Sequence, residues 1–166
     1  LAAQRGEGGR IVAKMNALTD EAIAHALVLA GQRGARIDLI VRGACILPAQ
    51  VPGMTDNIRV RSIIGRFLEH SRVFYFRCGA EEELYLSSAD WMNRNMMRRV
   101  EISWPITDPE LRQHIIDECL VAYLHDDRDA WELQPGGTYV HAGKPVTGMG
   151  AQNALMGRYA PSGQKG

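Results

Sequence analysis

Residues 11–43 read IVAKMNALTDEAIAHALVLAGQRGARIDLIVRG, and this stretch decides the fold class. Ile11 to Met15 is a short apolar strand. Thr19 stands where a helix N-cap is wanted, and Asp20 and Glu21 put negative charge into the first turn, where the helix dipole favours it. Ile23, Ala26, Leu27 and Ala30 recur at helical spacing, and Gly34 offers a C-terminal stop. Ile37 to Val41 then form a strand too apolar to be half exposed. A strand, a helix and a second buried strand in that order predict a right-handed βαβ unit, so the class is α/β.

Beyond this unit, residues 43–57 read as loop, punctuated by Pro48, Pro52 and Gly53. The segment NIRVRSIIGRFLEH places Val60, Ile63, Ile64, Phe67 and Leu68 on one helical face, which predicts an amphipathic helix ending at His70. VFYF (73–76) and ELYLS (83–87), joined around Gly79, predict a hairpin. VEISW (100–104) predicts a further strand. Asp108 and Pro109 then open a helix whose apolar stripe is Leu111, Ile115, Cys119, Leu120 and Tyr123. After residue 125 glycines interrupt the pattern, and a short helix near Gln152 to Tyr159 is the remaining regular element. The expectation is one domain over 1–166, with a core at about 11–125 and a looser tail at 126–166.

Composition bounds the function. Apolar residues make up 46% and charged residues 23%, as in an ordinary globular protein. No apolar run approaches the roughly 18–20 residues that span a bilayer. Basic and acidic residues balance at 19 each, so net charge points to no polyanion and no nucleic-acid partner. Arginine dominates the positives, however, and its planar fork suits bidentate contact with phosphate. Cys45, Cys78 and Cys119 have no metal-ligand spacing and read as reduced thiols of a cytoplasmic protein. No metal ligands are assigned. The chain lacks an initiator methionine and is expected to be a piece of a longer protein.

Arg42 follows a buried strand and precedes Gly43, which places it on the strand-end rim where open α/β sheets bind ligands. His70 sits just before the hairpin with Arg72 two residues on. An imidazole ordinarily titrates near neutrality and suits proton donation or phosphate binding. A hairpin brings the start of one strand beside the end of the next, so Ser87, Ser88 and Asp90 join His70 and Arg72 around one spot. Arg72 or Arg99 is expected to add positive field, and Glu101, on the next strand, to orient His70, or else Arg99 and Glu101 form a structural ion pair at a sheet edge. Surface arginines and a helix-capping histidine are the plain alternatives for each. His25, His114, His125 and His141 have no supporting context.

The spacing resembles a degenerate half of the phospholipase D motif, His-x-Lys followed by Gly-Ser-x-Asn. Arg72 replaces the lysine, Ser87-Ser88-Ala89-Asp90 stands for the second part, and Arg77 lies near the place of the missing acidic residue. The chain more closely resembles the C-terminal domain of bacterial polyphosphate kinase of the large, phospholipase D-like type. The blocks IVAKMNALTD, IDLIVRG, DNIRVRSIIGRFLEHSR, LYLSSADWMNRN and RRVEISWPI follow that family's order from Ile11 to Ile106.

The resemblance implies a phospholipase D-like fold, a mixed sheet flanked by helices. It implies reversible transfer of the ATP γ-phosphoryl to inorganic polyphosphate, through a phosphohistidine in another domain and with Mg²⁺ held mainly outside this chain. Arg42 and His70 are implied to contact the nucleotide phosphates, with His70 catalytic; this chain alone is expected to be inactive. The implied partners are ATP or ADP, polyphosphate, the remaining domains of the polypeptide and a second copy of the enzyme. A peripheral membrane association of the parent would not conflict. Two rivals remain: a phospholipase D-type phosphodiesterase or phosphatidyltransferase half-domain, and a non-catalytic phosphate-binding assembly module.

Overall fold

The computed structural model describes residues 8–143 and 148–160. Its centre is the strand–helix–strand unit: β1 (Gly9–Met15), α1 (Glu21–Gln32) and β2 (Arg36–Val41). β1 and β2 run parallel, with Ile11 opposite Ile37 and Met15 opposite Val41. The cap of α1 is Asp20 rather than Thr19: its carboxylate accepts from the Ile23 N–H at 3.0 Å. Gly34 takes a positive φ of 92° immediately beyond the helix, a conformation that only glycine adopts at no steric cost.

The next element corrects the sequence reading. Residues 58–63 are a strand, β3 (Ile58–Ile63), parallel to β2, and residues 64–71 form no helix. The segment satisfies two periods at once. Ile58, Val60 and Ser62 alternate with Arg59, Arg61 and Ile63, and β-branched residues favour the pleated strand. Gly65 follows directly, and Ile64, Phe67 and Leu68 are exposed rather than packed. His70 therefore lies in a loop, not at a helix C-terminus.

The hairpin is β4 (Arg72–Cys78) and β5 (Glu81–Ser87), with Arg72 paired to Ser87. A short helix, α2 (Asn93–Arg98), leads to β6 (Ser103–Pro105). β6 begins later than VEISW implied, because Val100 is fully exposed and Glu101 turns back toward β5. Asp108 caps α3 (Pro109–Ile115), which continues through a π-helical turn (Ile116–Val121) into α4 (Ala122–Leu124). The segment after 125 supplies β7 (Ala130–Leu133), β8 (Tyr139–His141) and α5 (Ala151–Tyr159).

The strands form one mixed sheet in the order β6-β5-β4-β1-β2-β3-β7-β8. Its three central strands are parallel and the rest antiparallel. One face carries Ala13, Ile37, Leu39, Val41, Ile58, Val60 and Phe74 under α1. Gly31 lets α1 approach closely, since a Cβ there would stand 3.2 Å from Ile58 Cγ1. The other face carries Val12, Ile40, Ile63, Val73 and Tyr75, covered by Leu120 and Tyr123 and by Ala151 and Leu155 of α5. Both faces being covered explains why residues 39–41 of β2 form an unbroken apolar run. The α/β class with a mixed sheet flanked by helices is the architecture found.

Candidate active site

The carboxyl ends of β1, β2 and β3 open on one rim, and the loops that leave them are tied together there. Leu18 bridges to Cys45 and to Trp91. Asp90 anchors this knot. Its Oδ1 accepts from the Asn16 N–H at 2.7 Å and the Ala17 N–H at 3.4 Å, and Arg72 grips both its oxygens from Nε at 3.2 Å and Nη2 at 3.1 Å. Burial pushes the Asp90 carboxyl up, but Arg72 and the two backbone donors outweigh it and hold the group below the usual carboxylate range.

Arg42 stands one residue past β2. Its Nε donates to Asn16 Oδ1 at 3.0 Å, while Ser62 Oγ donates to its carbonyl at 2.7 Å. Its two terminal amino groups bond to no described residue. Two arginines of the neighbouring strands, Arg61 and Arg10, are engaged. Arg61 is bound to the carbonyls of Tyr123, Leu124 and Asp126 and to Glu132, and Arg10 pairs with Asp38. Arg42 thus keeps the forked edge of its guanidinium open.

His70 is exposed, and its imidazole makes no hydrogen bond to a described residue. Arg72 Nη1 donates to its carbonyl at 2.9 Å. A run of bonds therefore joins the two candidates, from Arg42 through Asn16, Asp90 and Arg72 to the His70 backbone. His70 lines an open cleft of about 390 Å³ with Lys14, Glu69, Ser71, Cys119 and Tyr123. Arg42 lines a small adjoining pocket whose walls include the same Lys14, Glu69, Ser71 and Tyr123. Both groups open on one rim.

With this geometry in place, the chain can be set beside known proteins. The model of the family described as polyphosphate kinase C-terminal domain 2 matches residues 1–152. The chain belongs to this family. It is 49% identical over 158 residues to the polyphosphate kinase of Burkholderia cenocepacia (strain HI2424), covering 95% of the chain and 23% of that protein. It is 57% identical over 135 residues to that of Synechocystis sp. (strain ATCC 27184 / PCC 6803 / Kazusa), covering 81% of the chain and 18% of that protein. The crystal structure of polyphosphate kinase from Porphyromonas gingivalis superposes with a TM-score of 0.84 at 40% identity, over 93% of this chain and 24% of that one. The chain thus spans between about a fifth and a quarter of the relatives it matches.

Within this family domain, the remaining expected residues divide. Glu101 binds Ser88 Oγ and Asn95 Nδ2, each at 2.5 Å, rather than His70. Those two bonds hold its carboxyl below the usual range, with a weaker contribution from Arg99 and Arg72. Arg99 is exposed and makes no ion pair among the described residues. No group of three or more His, Cys, Asp or Glu side chains among the described residues could hold a metal ion. None of the described helices is long and apolar enough to cross a membrane.

Sequence reasoning missed the cluster beneath His70. Lys14 of β1, side chain 8% exposed, reaches Glu69 Oε2 at 2.5 Å and lies 3.3 Å above the Tyr123 ring. The Tyr123 hydroxyl donates to Glu69 Oε1, as does Gln152 Nε2 at 2.9 Å. Burial pushes Lys14 down despite Glu69, and pushes the Tyr123 hydroxyl up together with Glu69. For Glu69 burial acts upward, but the bonds from Lys14, Tyr123 and Gln152 prevail and hold it low. The available signal was a lysine facing inward from an otherwise apolar strand, which is rarely buried unless paired.

A pH prediction follows from two of the depressed carboxylates, Glu69 and Asp90. Each contributes stability that is complete above its unfolded value of about 4 and is lost as pH falls through its lower native value. The thermal unfolding temperature should drop steeply below about pH 4. In Asp90→Asn that slope should be shallower; an unchanged slope would remove Asp90 from the account.

Proposed function

We propose that this domain is one half of a phosphoryl-transfer centre in a polyphosphate kinase, in which Arg42 and His70 hold the phosphates of ATP. The observation that carries the reading is the open fork of Arg42, fixed at Nε by Asn16 and presented on the rim it shares with His70. Phosphoryl transfer spreads charge over three equatorial oxygens, so its catalysis is mostly placement and electrostatics. A planar, permanently charged fork serves that need before and during transfer.

In the proposed reaction the bond from the γ-phosphorus to its bridging oxygen breaks, ADP departs, and a nitrogen–phosphorus bond forms at a histidine of a neighbouring domain. The terminal oxygen of polyphosphate then attacks that phosphorus and releases the histidine. The sequence runs equally in reverse. His70 hydrogen-bonds the phosphoryl oxygens or protonates the leaving oxygen. Arg72 holds the His70 backbone, Arg99 adds long-range positive field, and Glu101 acts indirectly by fixing Ser88 and Asn95. The family resemblance also implies Mg²⁺; no group of three or more His, Cys, Asp or Glu side chains among the described residues would hold it.

The whole of 1–166 is read as one C-terminal domain of a larger cytoplasmic enzyme. Its other domains supply the nucleophile, and a second copy completes an oligomer. In the full-length parent, Arg42→Ala should raise the KM for ATP and lower kcat/KM by about 10–10²-fold, the worth of losing a charged hydrogen-bonding pair. Arg42→Lys should recover little, because it keeps the charge without the fork. ATP-dependent polyphosphate synthesis at wild-type KM by both variants would defeat the reading.

A further inference from the structure

The loop that carries His70 has no regular hydrogen bonding of its own. It leaves β3 at Ile64, whose N–H bonds to the Asp129 carbonyl at 2.8 Å, and regains order at Arg72. Between these anchors Arg72 Nη1 holds the His70 carbonyl, and the backbone further upstream is held by a side chain from far along the chain. The Phe67 N–H donates to Gln152 Oε1 at 2.7 Å, and Gln152 Nε2 donates to the Phe67 carbonyl at 2.9 Å. The same Nε2 donates to Glu69 Oε1 at 2.9 Å, so both its protons are used. The amide copies the pairing of a neighbouring strand at a place where none exists.

The surroundings are built to receive this contact. Gln152 is 5% exposed. Gly65 lies directly against it, and a Cβ at position 65 would collide with the amide. Gln152 is seated by α5, whose first N–H, at Ala151, donates to Asp126 Oδ2 at 2.7 Å. Arg158 and Tyr159 at the other end donate to Glu118 Oε1 at 2.8 and 2.6 Å. A helix pinned at both ends thus presents one amide to the segment one to five residues before the candidate catalytic histidine.

We propose that Gln152 is a positioning residue for His70, acting through Phe67 and Glu69, so that α5 is part of the catalytic unit. The inference rests on the proposed role of His70. An exposed imidazole on an irregular loop needs its backbone fixed, because a misplacement of about 1 Å is enough to cost 10²-fold in rate. Gln152 supplies the upstream part of that constraint, beside the Arg72 bond to the His70 carbonyl, without touching the substrate.

The test uses the full-length parent, comparing Gln152→Ala and Gln152→Glu with wild type and with His70→Ala. Gln152→Ala should lower kcat by about tenfold or more, with a smaller change in the KM for ATP and a retained cooperative thermal transition. Gln152→Glu should regain activity relative to wild type as pH falls. Its neutral acid can donate to Phe67 or Glu69, whereas its carboxylate opposes Glu69. Lys14, Arg42 and Tyr123 also face this pocket and favour the ionised form, which places the recovery on the acid side. Wild-type kcat in both variants, or equal losses with no pH signature, would overturn the inference while leaving the His70 assignment standing. Unchanged synthesis by His70→Ala would overturn both.

Discussion

His70→Ala in the full-length parent is expected to cut ATP-dependent polyphosphate synthesis by about 10²-fold or more, the usual consequence of losing an acid–base group. Far-UV circular dichroism should not change. The geometry separates these two outcomes. The His70 ring is exposed and bonds to no described residue, while its place in the chain is fixed through its carbonyl by Arg72. Truncating an exposed, unbonded side chain typically moves stability by no more than about 0.5 kcal/mol, so a large loss of rate reports on chemistry. Unchanged synthesis would confine the family likeness to fold and return the search to Arg42 and the loop behind it.

The contrast with Asp90 sharpens this point. Asp90 bonds to β1's exit and to Arg72, so its removal disturbs the rim as a whole. A loss of activity in Asp90→Ala would not distinguish chemistry from architecture. His70 allows that distinction because almost nothing structural depends on its ring.

What was legible in the sequence followed from local chemistry. The apolar strands 11–15 and 37–41, the helix between them, the hairpin about Gly79 and the Asp108–Pro109 helix start each depend on neighbouring residues and on one clear period. Arg42 was placed by a general property of strand ends, and the structure puts it on that rim. The segment 57–70 misled because its apolar residues fit a helical stripe and a strand alternation together. The decision belonged to β2, which pairs with it at Ile58, Arg59, Val60 and Arg61. Elements such as α2, β7 and β8 are too short to show a period, and the sheet defines the two strands by pairing.

The candidate site was legible only in its surface members. Lys14, Glu69, Tyr123 and Gln152 come from four separate elements, and none has a motif that names its partners. Asp90 was visible as a polar residue at a strand exit, but its grip on Arg72 and on the end of β1 is a property of the folded rim. Glu101 shows the converse. Its expected place on the next strand suggested His70 as its partner, while the turn after α2 gives it to Ser88 and Asn95.

The Lys14–Glu69 pair carries the second large expected effect, this time on stability. Lys14→Met should destabilise the chain by about 3 kcal/mol, read as a lower midpoint in urea unfolding. The loss is not that of an attractive contact alone. Lys14 already sits in a site that disfavours its charge, as its depressed pKa records, so the pair has a high desolvation cost. Removing only the cation leaves Glu69 charged, its side chain 23% exposed, with Tyr123 and Gln152 as its remaining donors. The double variant Lys14→Met/Glu69→Gln removes both charges and keeps an acceptor for Tyr123. It should regain most of the lost stability, since buried pairs replaced by neutral groups of similar volume are often neutral or better. Additive losses would show that the two side chains are not energetically coupled. Recovered stability with activity still depressed would locate the value of the pair in what it holds: Glu69, the neighbour of His70, tied to Lys14 through Oε2 and to Gln152 through Oε1.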